Sequence, residues 1–190
     1  TRQYDKVDLK SLMVTEMEVE LASQMVPDQL KMAIKLAKTN IEQFHKSQVV
    51  NEGVIETIKG VKCWRKSVGI EKVGLYIPGG SAPLFSTILM LGIPATIAGC
   101  KNIILCTPPD KEGNVNPAIL YTANLVGIKS IYKVGGAQAI GAMAYGTETI
   151  PQVYKIFGPG NQYVTKAKEL VQQTGVAIDT DLVHPVSYTH

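Results

Sequence analysis

The stretch Val73-Gly-Leu-Tyr-Ile-Pro-Gly-Gly80 decides the fold of this chain, because a short apolar run leads directly into a turn of proline and glycine. The same arrangement recurs along the chain, and each turn is followed by a segment with helical character. The turns are Pro78-Gly79-Gly80, Thr107-Pro108-Pro109, Gly135-Gly136-Ala137-Gln138 and Gly158-Pro159-Gly160-Asn161. They follow the runs Val73 to Ile77, Asn102 to Cys106, Ser130 to Val134 and Val153 to Phe157. Repetition of strand, turn and helix predicts a parallel sheet whose turns gather along one edge.

Ligands of such sheets bind beyond the carboxyl ends of the strands, and glycine-rich turns at that edge indicate a nucleotide. The predicted fold is therefore α/β, a Rossmann-like parallel sheet with helices on both faces, preceded by a helical N-terminal arm. The predicted divisions are residues 1–72 for the arm and a connection, 73–179 for the nucleotide-binding domain and 180–190 for a tail.

The arm is predicted from helical rather than strand patterns. Thr15 and Glu18 form a capping box at the start of one helix, and Pro27 suits the first turn of a second. Two helices alone leave an apolar stripe uncovered. We therefore expect the arm to pack on the sheet region, on a further part of the protein or on a second subunit.

Three local expectations concern the connections. Residues 60–72 are predicted to be a polar connection, and the polar loop from Pro108 to Asn116 a surface insertion. Leu84 to Leu91 is predicted to be a helix, and Pro94 to start a new one, because proline disrupts a helix interior.

Composition narrows the class of protein. The chain has 190 residues, of which 45% are hydrophobic, and a net charge of only +3, which argues against a nucleic-acid surface. The apolar stretch Ser86 to Cys100 is interrupted by Gly92 and Pro94 and is too short to span a bilayer. An odd number of cysteines without CxxC spacing favours neither a disulfide framework nor a zinc site. Cys100 and Cys106 are expected to be packing residues, and the protein to be cytoplasmic.

Gly158-Pro159-Gly160 is similar to the start of a dinucleotide fingerprint, in which glycine lets the backbone approach a pyrophosphate at a helix N-terminus. Asp179, about twenty residues on, lies where a ribose-binding acid is expected. The third glycine of the fingerprint is replaced by Tyr163. A turn that only reverses the chain is the alternative.

Polar residues at the same predicted edge are the candidate ligand contacts. Gln138 and Asn161 can each donate and accept hydrogen bonds, although Asn161 would serve equally as a helix N-cap. Tyr76 precedes the first turn, where it could stack on a base or ribose or be an ordinary buried strand tyrosine.

Acid–base and metal-binding candidates are few. The histidines are His45, near the end of a predicted helix, and His184 and His190 in the tail. Asp179 and Asp181 could join the tail histidines around a metal, but no HExxH or similar spacing holds them on one rigid face. The residues alone support a nucleotide-binding unit and do not reveal a catalytic centre.

Longer strings show a family resemblance. Val73-Gly-Leu-Tyr-Ile-Pro-Gly-Gly-Ser-Ala-Pro-Leu-Phe-Ser-Thr-Ile-Leu-Met-Leu resembles the opening of the nucleotide domain of histidinol dehydrogenases. The further matching strings are Asn40-Ile-Glu-Gln-Phe-His, Ala98-Gly-Cys-Lys, Leu105-Cys-Thr-Pro-Pro, Val134-Gly-Gly-Ala-Gln-Ala-Ile, Tyr145-Gly-Thr-Glu and Lys155-Ile-Phe-Gly-Pro-Gly-Asn.

The resemblance implies an enzyme of histidine biosynthesis that oxidises L-histidinol to L-histidinal and then to L-histidine with NAD. It also implies a zinc-dependent homodimer with intertwined chains. Carried over position by position, the NAD-contacting residues are Tyr76, Gln138 and Asn161.

The tail departs from the family. The family continues after the last strand with Ile-Asp-x-x-Ala-Gly-Pro, whereas Ile178-Asp179 is followed here by Thr180-Asp-Leu-Val-His. The zinc ligands and the acid–base pair of the family lie further on and have no counterpart. The chain is therefore interpreted as the N-terminal, NAD-binding portion of the enzyme, inactive by itself. The alternatives are a catalytically inactive nucleotide-binding or scaffold fragment, and a tail that arose as a cloning or gene-model artefact.

Overall fold

The structure is a computed structural model that describes residues 7–49, 53–79, 83–173, 175 and 177–178. Its helices are α1 (Glu16–Met25), α2 (Asp28–Lys46), α3 (Phe85–Ile97), α4 (Pro117–Leu125), α5 (Gly136–Tyr145) and α6 (Gln162–Gln172). Its strands are β1 (Ile55–Ile58), β2 (Val61–Cys63), β3 (Lys72–Tyr76), β4 (Asn102–Thr107), β5 (Ser130–Lys133), β6 (Lys155–Phe157) and β7 (Ala177–Ile178).

The central sheet has the strand order β5-β4-β3-β6-β7, and every neighbouring pair in it is parallel. The chain enters this sheet at β3, continues outward through β4 to β5, and then returns to form β6 on the other side of β3. The strand order therefore reverses between β3 and β6. This arrangement confirms the predicted Rossmann-like parallel sheet.

Helices cover both faces of the sheet. Successive strand residues point to opposite sides, so each face has its own set of buried side chains. Val73, Leu75 and Ile77 belong to the core shared with α3 and α4. Tyr76 and Cys106 belong to the opposite core, which contains the buried residues of α5 and α6. Strands buried on both faces are almost wholly apolar, and the sequence of β4, Asn-Ile-Ile-Leu-Cys-Thr, shows this.

The N-terminal arm packs on the sheet region, the first of the three expected possibilities. Helix α1 packs against α4 and α2 against α3, so the arm forms a third layer over one face. The capping box is confirmed, since the Thr15 hydroxyl accepts from the Glu18 amide and the Glu18 carboxylate accepts from the Thr15 amide. Before α1 the chain runs antiparallel to β5, where the Val14 amide donates to the Ile131 carbonyl at 2.9 Å. The arm thereby covers an edge of the sheet that would otherwise be open.

The prediction of a new helix at Pro94 is wrong, because α3 runs without interruption from Phe85 to Ile97 with Pro94 inside it. The missing amide hydrogen of Pro94 costs one helical hydrogen bond. Most residues of α3 are nevertheless buried, since the helix lies between the sheet and α2. Burial on nearly every side outweighs the local preference for a break.

The predicted connection over residues 60–72 is also partly wrong, because it contains a strand. Val61–Cys63 pairs antiparallel with Ile55–Ile58 around a turn in which Gly60 has φ +87°. Every residue of the two strands is exposed, so the hairpin lacks the half-buried alternation that identifies a strand in a sequence.

Among the helices in the described ranges, none is long and apolar enough to cross a membrane.

An ion pair attaches the arm to the carboxyl edge of the sheet. Lys133, the last residue of β5, is buried, and its Nζ donates to the Glu18 carboxylate of α1. Burial disfavours the charged form of Glu18, but hydrogen bonds from Lys133 and Thr15 outweigh this effect and lower the pKa of the carboxyl. The charged form of Glu18 is therefore stabilised in the folded protein.

Replacing Glu18 by glutamine isolates this ion pair, since glutamine retains the capping box but carries no charge. We expect Glu18→Gln to lower the free energy of unfolding at neutral pH by roughly 1–2 kcal/mol, because the buried Lys133 loses its counter-charge. Urea denaturation of the two proteins measures the difference.

The same comparison has a defined pH dependence. A depressed pKa contributes stability that is present above the unfolded value, near 4.5 for this carboxyl, and is lost as the pH falls through the folded pKa. The stability difference between the wild type and Glu18→Gln is therefore expected to shrink on acidification below about 4.5. A difference that stays constant across this range contradicts the role given to the ion pair.

Candidate functional site

The turns predicted from the sequence meet at the carboxyl edge of the sheet. Pro108, which follows β4, lies between the turns that follow β3 and β5. A Cβ added to Gly79 would lie 2.6 Å from Pro108 Cγ, and one added to Gly135 would lie 2.4 Å from Pro108 Cβ. A side chain at either glycine would displace the proline, so these turns are in close contact because two of their residues have no side chain.

Gly158 lies at the point where the strand order reverses. It follows β6, has φ +136°, and its Cα faces the backbone of Tyr76 at the end of β3. An added Cβ would lie 2.0 Å from the Tyr76 carbonyl oxygen, which no structure can accommodate. Only glycine allows this turn to leave the sheet beside β3, and the crevice at such a reversal is the usual ligand site of open α/β sheets.

Tyr76 points away from that turn, into the core beneath α5. Only 3% of the residue is exposed, and its hydroxyl accepts a hydrogen bond from the Gly136 amide at 2.9 Å. The hydroxyl therefore satisfies one of the free amides at the N-terminus of α5. Of the two roles considered for Tyr76, the structure shows the buried strand tyrosine.

Gln138 lies in the first turn of α5 and is half-buried. A Cβ on Gly136 would be 3.4 Å from Gln138 Oε1, so the amide end of Gln138 lies beside that glycine. Gly136 has φ +69°, a conformation that glycine adopts readily. Tyr76 and Gln138 thus meet at the same backbone position, the start of α5.

Asn161 is exposed and is the N-cap of α6. Its Oδ1 accepts hydrogen bonds from the Tyr163 and Val164 amides, both at 3.1 Å. The N-cap role considered for this residue is therefore present in the structure. It occupies the side-chain oxygen, while the amide group is a donor that the cap does not use.

A cleft of about 580 Å³ adjoins these turns, between α1, Thr107 to Pro109 and the start of α4. Its lining includes the acidic residues Glu18, Asp110 and Glu112. Asp110 Oδ1 accepts from the amides of Glu112 and Asn114 at 2.9 and 2.8 Å, so it shapes the loop after β4. This loop is the surface insertion expected from Pro108 to Asn116.

One residue at the edge was missed by sequence reasoning. Lys168 of α6 is 4% exposed, and its Nζ donates to the Gly158 carbonyl. Its spacing from Val164 and Val171 follows the buried face of the helix, and both valines are buried. That periodicity was the signal available, because it places a lysine where an apolar residue is expected.

The other candidate chemical groups lie apart from this edge. His45 is near the end of α2, where its Nδ1 is 2.9 Å from Gln48 Oε1. Cys100 and Cys106 are buried as expected, and burial raises the pKa of Cys106 to about 12, which disfavours the reactive thiolate. Within the part of the chain that the structure describes, no three His, Cys, Asp or Glu residues lie close enough to hold a metal. Asp179, Asp181, His184 and His190 lie outside the described residues.

Comparison with known proteins identifies the family. The family model described as histidinol dehydrogenase matches residues 1–182. This chain belongs to the histidinol dehydrogenase family. A histidinol dehydrogenase from Bacteroides thetaiotaomicron is 64% identical over 176 residues, and one from Mannheimia succiniciproducens is 57% identical over 181 residues.

The relatives are longer than this chain. The alignments cover 93% and 94% of the chain but only 41% of each of these two histidinol dehydrogenases. This chain also matches the crystal structure of histidinol dehydrogenase from Elizabethkingia anophelis, with a TM-score of 0.91 and 63% sequence identity. The match covers 94% of this chain and 41% of the chain in that crystal structure. The chain thus spans about two fifths of the length of these family members.

The geometry at the reversal of strand order predicts a strong asymmetry between two glycines. Gly158→Ala is expected to lower the free energy of unfolding by about 3 kcal/mol or more, because the added methyl group overlaps the Tyr76 backbone in a strained conformation. Gly141→Ala is the control, since an added Cβ there meets no atom within 4 Å and lies inside α5. Alanine in a helix interior is expected to add about 0.5–1 kcal/mol. Equal effects of the two variants in urea denaturation would contradict the close approach.

Proposed function

We propose that this chain is the NAD-binding part of a histidinol dehydrogenase, an oxidoreductase of histidine biosynthesis. The enzyme would oxidise L-histidinol to L-histidinal and then to L-histidine, reducing NAD in each step. The observation that carries the proposal is the carboxyl edge at the reversal of strand order, where glycine turns and two helix N-termini come together. Membership of the family supports the choice of cofactor and substrate.

The proposed NAD contacts are Tyr76, Gln138 and Asn161. Helix N-termini carry a partial positive charge that favours the pyrophosphate of a dinucleotide, and those of α5 and α6 follow the turns at this edge. Gln138 and the free amide donor of Asn161 would bind polar groups of the cofactor. Because Tyr76 is 3% exposed, its role is expected at the hydroxyl, which orders the start of α5, and not by stacking.

The chemistry assigned to this chain is the orientation of the cofactor. Gln138 and Asn161 would hold the nicotinamide half of NAD, and the bound cofactor would supply the acceptor for the hydride that leaves the carbinol carbon of histidinol. The second oxidation needs a base to activate water, and the family resemblance adds a zinc ion that positions the substrate. The described residues offer no group of ligands that fits zinc, so we assign no step to zinc in this chain. A homodimer in the cytoplasm is part of the same proposal.

Substitutions of two of the proposed contacts test the binding site. Gln138→Ala and Asn161→Ser are each expected to weaken NAD binding roughly three- to tenfold, since each removes a side-chain amide that would form hydrogen bonds with the cofactor. Serine retains the N-cap of α6, so Asn161→Ser separates cofactor binding from the loss of helix stability. Calorimetric titration with NAD measures the dissociation constants.

The control for these variants is Gln152→Ala. Gln152 is an exposed amide whose Nε2 donates to the Ala144 carbonyl, and it lines a different cleft with Lys72 and Asn102 at the amino ends of the strands. This variant is expected to bind NAD like the wild type. Unchanged NAD affinity in both Gln138→Ala and Asn161→Ser would exclude these residues as contacts.

An activity measurement tests whether this chain binds NAD without catalysing the oxidation. The purified 190-residue chain, given L-histidinol, NAD and zinc, is expected to bind NAD without forming NADH, because the family resemblance places the acid–base pair in a part of the enzyme that this chain does not span. The absorbance of NADH follows the reaction. NADH formation that depends on histidinol would instead show that residues of this chain complete the catalytic site. Failure to bind NAD would contradict the proposed function itself.

A further inference from the structure

Lys168 is a cation on the buried side of α6. It is 4% exposed and lies between the buried residues Val164 and Val171 along the helix. Lysine is almost never fully buried unless its charge is paired or hydrogen-bonded, because desolvating an ammonium group is costly. The cost must be offset by specific partners, and the Gly158 carbonyl is one of them. The Gly158 carbonyl is not the only group with which Lys168 interacts.

The position of Lys168 along α6 explains how its side chain contacts the Gly158 carbonyl. Helical side chains lean toward the N-terminus of their helix. Lys168 lies seven residues after the N-cap Asn161, so its side chain extends back along α6 to the turn that precedes the helix. A residue of the helix thereby holds the backbone ten positions earlier in the chain.

The carbonyl that Lys168 holds controls the path of the turn. The plane of that peptide group is shared with Pro159, whose φ is set by its ring. Once the Gly158 carbonyl is fixed, the backbone torsions that remain before Asn161 are ψ of Pro159 and φ and ψ of Gly160. Gly158 is held on its Cα side by the Tyr76 backbone and at its carbonyl by Lys168, so the turn is held from two directions.

We propose that Lys168 is a positioning residue for cofactor binding, which holds the Gly158 turn and Asn161 in the conformation that NAD requires. The proposal rests on the proposed function, since it assumes that NAD binds at this turn. Lys168 acts through Gly158 and not by touching the cofactor, because it lies beneath the turn. Ordering the turn before binding removes an entropic cost that NAD would otherwise meet.

The test compares Lys168→Met with Lys166→Met. Methionine retains much of the apolar stem of lysine but cannot donate to the Gly158 carbonyl. Lys166 is on the same helix, has a side chain that is 66% exposed and pairs with Glu169 at 2.8 Å, so its replacement removes the same charge without affecting the turn. NAD affinity is expected to fall on the order of tenfold in Lys168→Met and less than about twofold in Lys166→Met.

A second measurement does not depend on NAD. Amide hydrogen exchange of Tyr163 and Val164, which donate to Asn161 Oδ1, is expected to accelerate on the order of tenfold in Lys168→Met and to recover in Lys168→Arg. A merely structural role would accelerate exchange throughout α6 and α5 together. If Lys168→Met has no cooperative thermal transition, Lys168→Gln replaces it under the same criteria.

The outcomes separate the two proposals. If the wild type does not bind NAD, the proposed function fails. Accelerated exchange confined to the turn would then show that Lys168 orders the turn without any role in cofactor binding, and the inference would be overturned. If the wild type binds NAD and Lys168→Met binds it equally well with unchanged exchange, the inference alone is wrong. Weaker binding together with local acceleration and recovery in Lys168→Arg supports it.

Discussion

The close approach of Gly158 to the backbone of Tyr76 is the contact on which the rest of the structure depends. It lies where β6 returns to the side of β3, and the Tyr76 carbonyl occupies the space that any side chain at position 158 would need. The two cores of the molecule meet at the same place, because Leu75 and Ile77 face α3 while Tyr76 faces α5. This backbone contact therefore lies between β3 and the turn that leads into α6, beside the candidate site.

The candidate site is built from backbone as much as from side chains. The Tyr76 hydroxyl holds the start of α5, Asn161 holds the start of α6, and Pro108 packs between the glycines of two neighbouring turns. The dipoles of α5 and α6 have their positive ends at this edge, which suits an anionic ligand more than it suits acid–base chemistry. The arm contributes as well, because Glu18 pairs with Lys133 at that edge and lines the adjoining cleft.

Several features could be read from the sequence because they depend on near neighbours in the chain. The capping box of Thr15 and the turns that end the parallel strands need only a few adjacent residues, and both are present. The continuous helix through Pro94 and the exposed hairpin around Gly60 were not read correctly. In the first case burial between the sheet and α2 overrides a local preference, and in the second there is no burial pattern to detect.

The sequence by itself determined the order along the chain of the parallel strands and of the glycine- and proline-rich turns that follow them, and the family to which the chain belongs. Tertiary structure alone decided that the ring of Tyr76 is enclosed and that Lys168 holds the Gly158 carbonyl. The physical reason is the range of the interactions. Turns, caps and alternation are encoded within a few residues, whereas a packed contact depends on which distant backbone atoms fill the space beside a side chain.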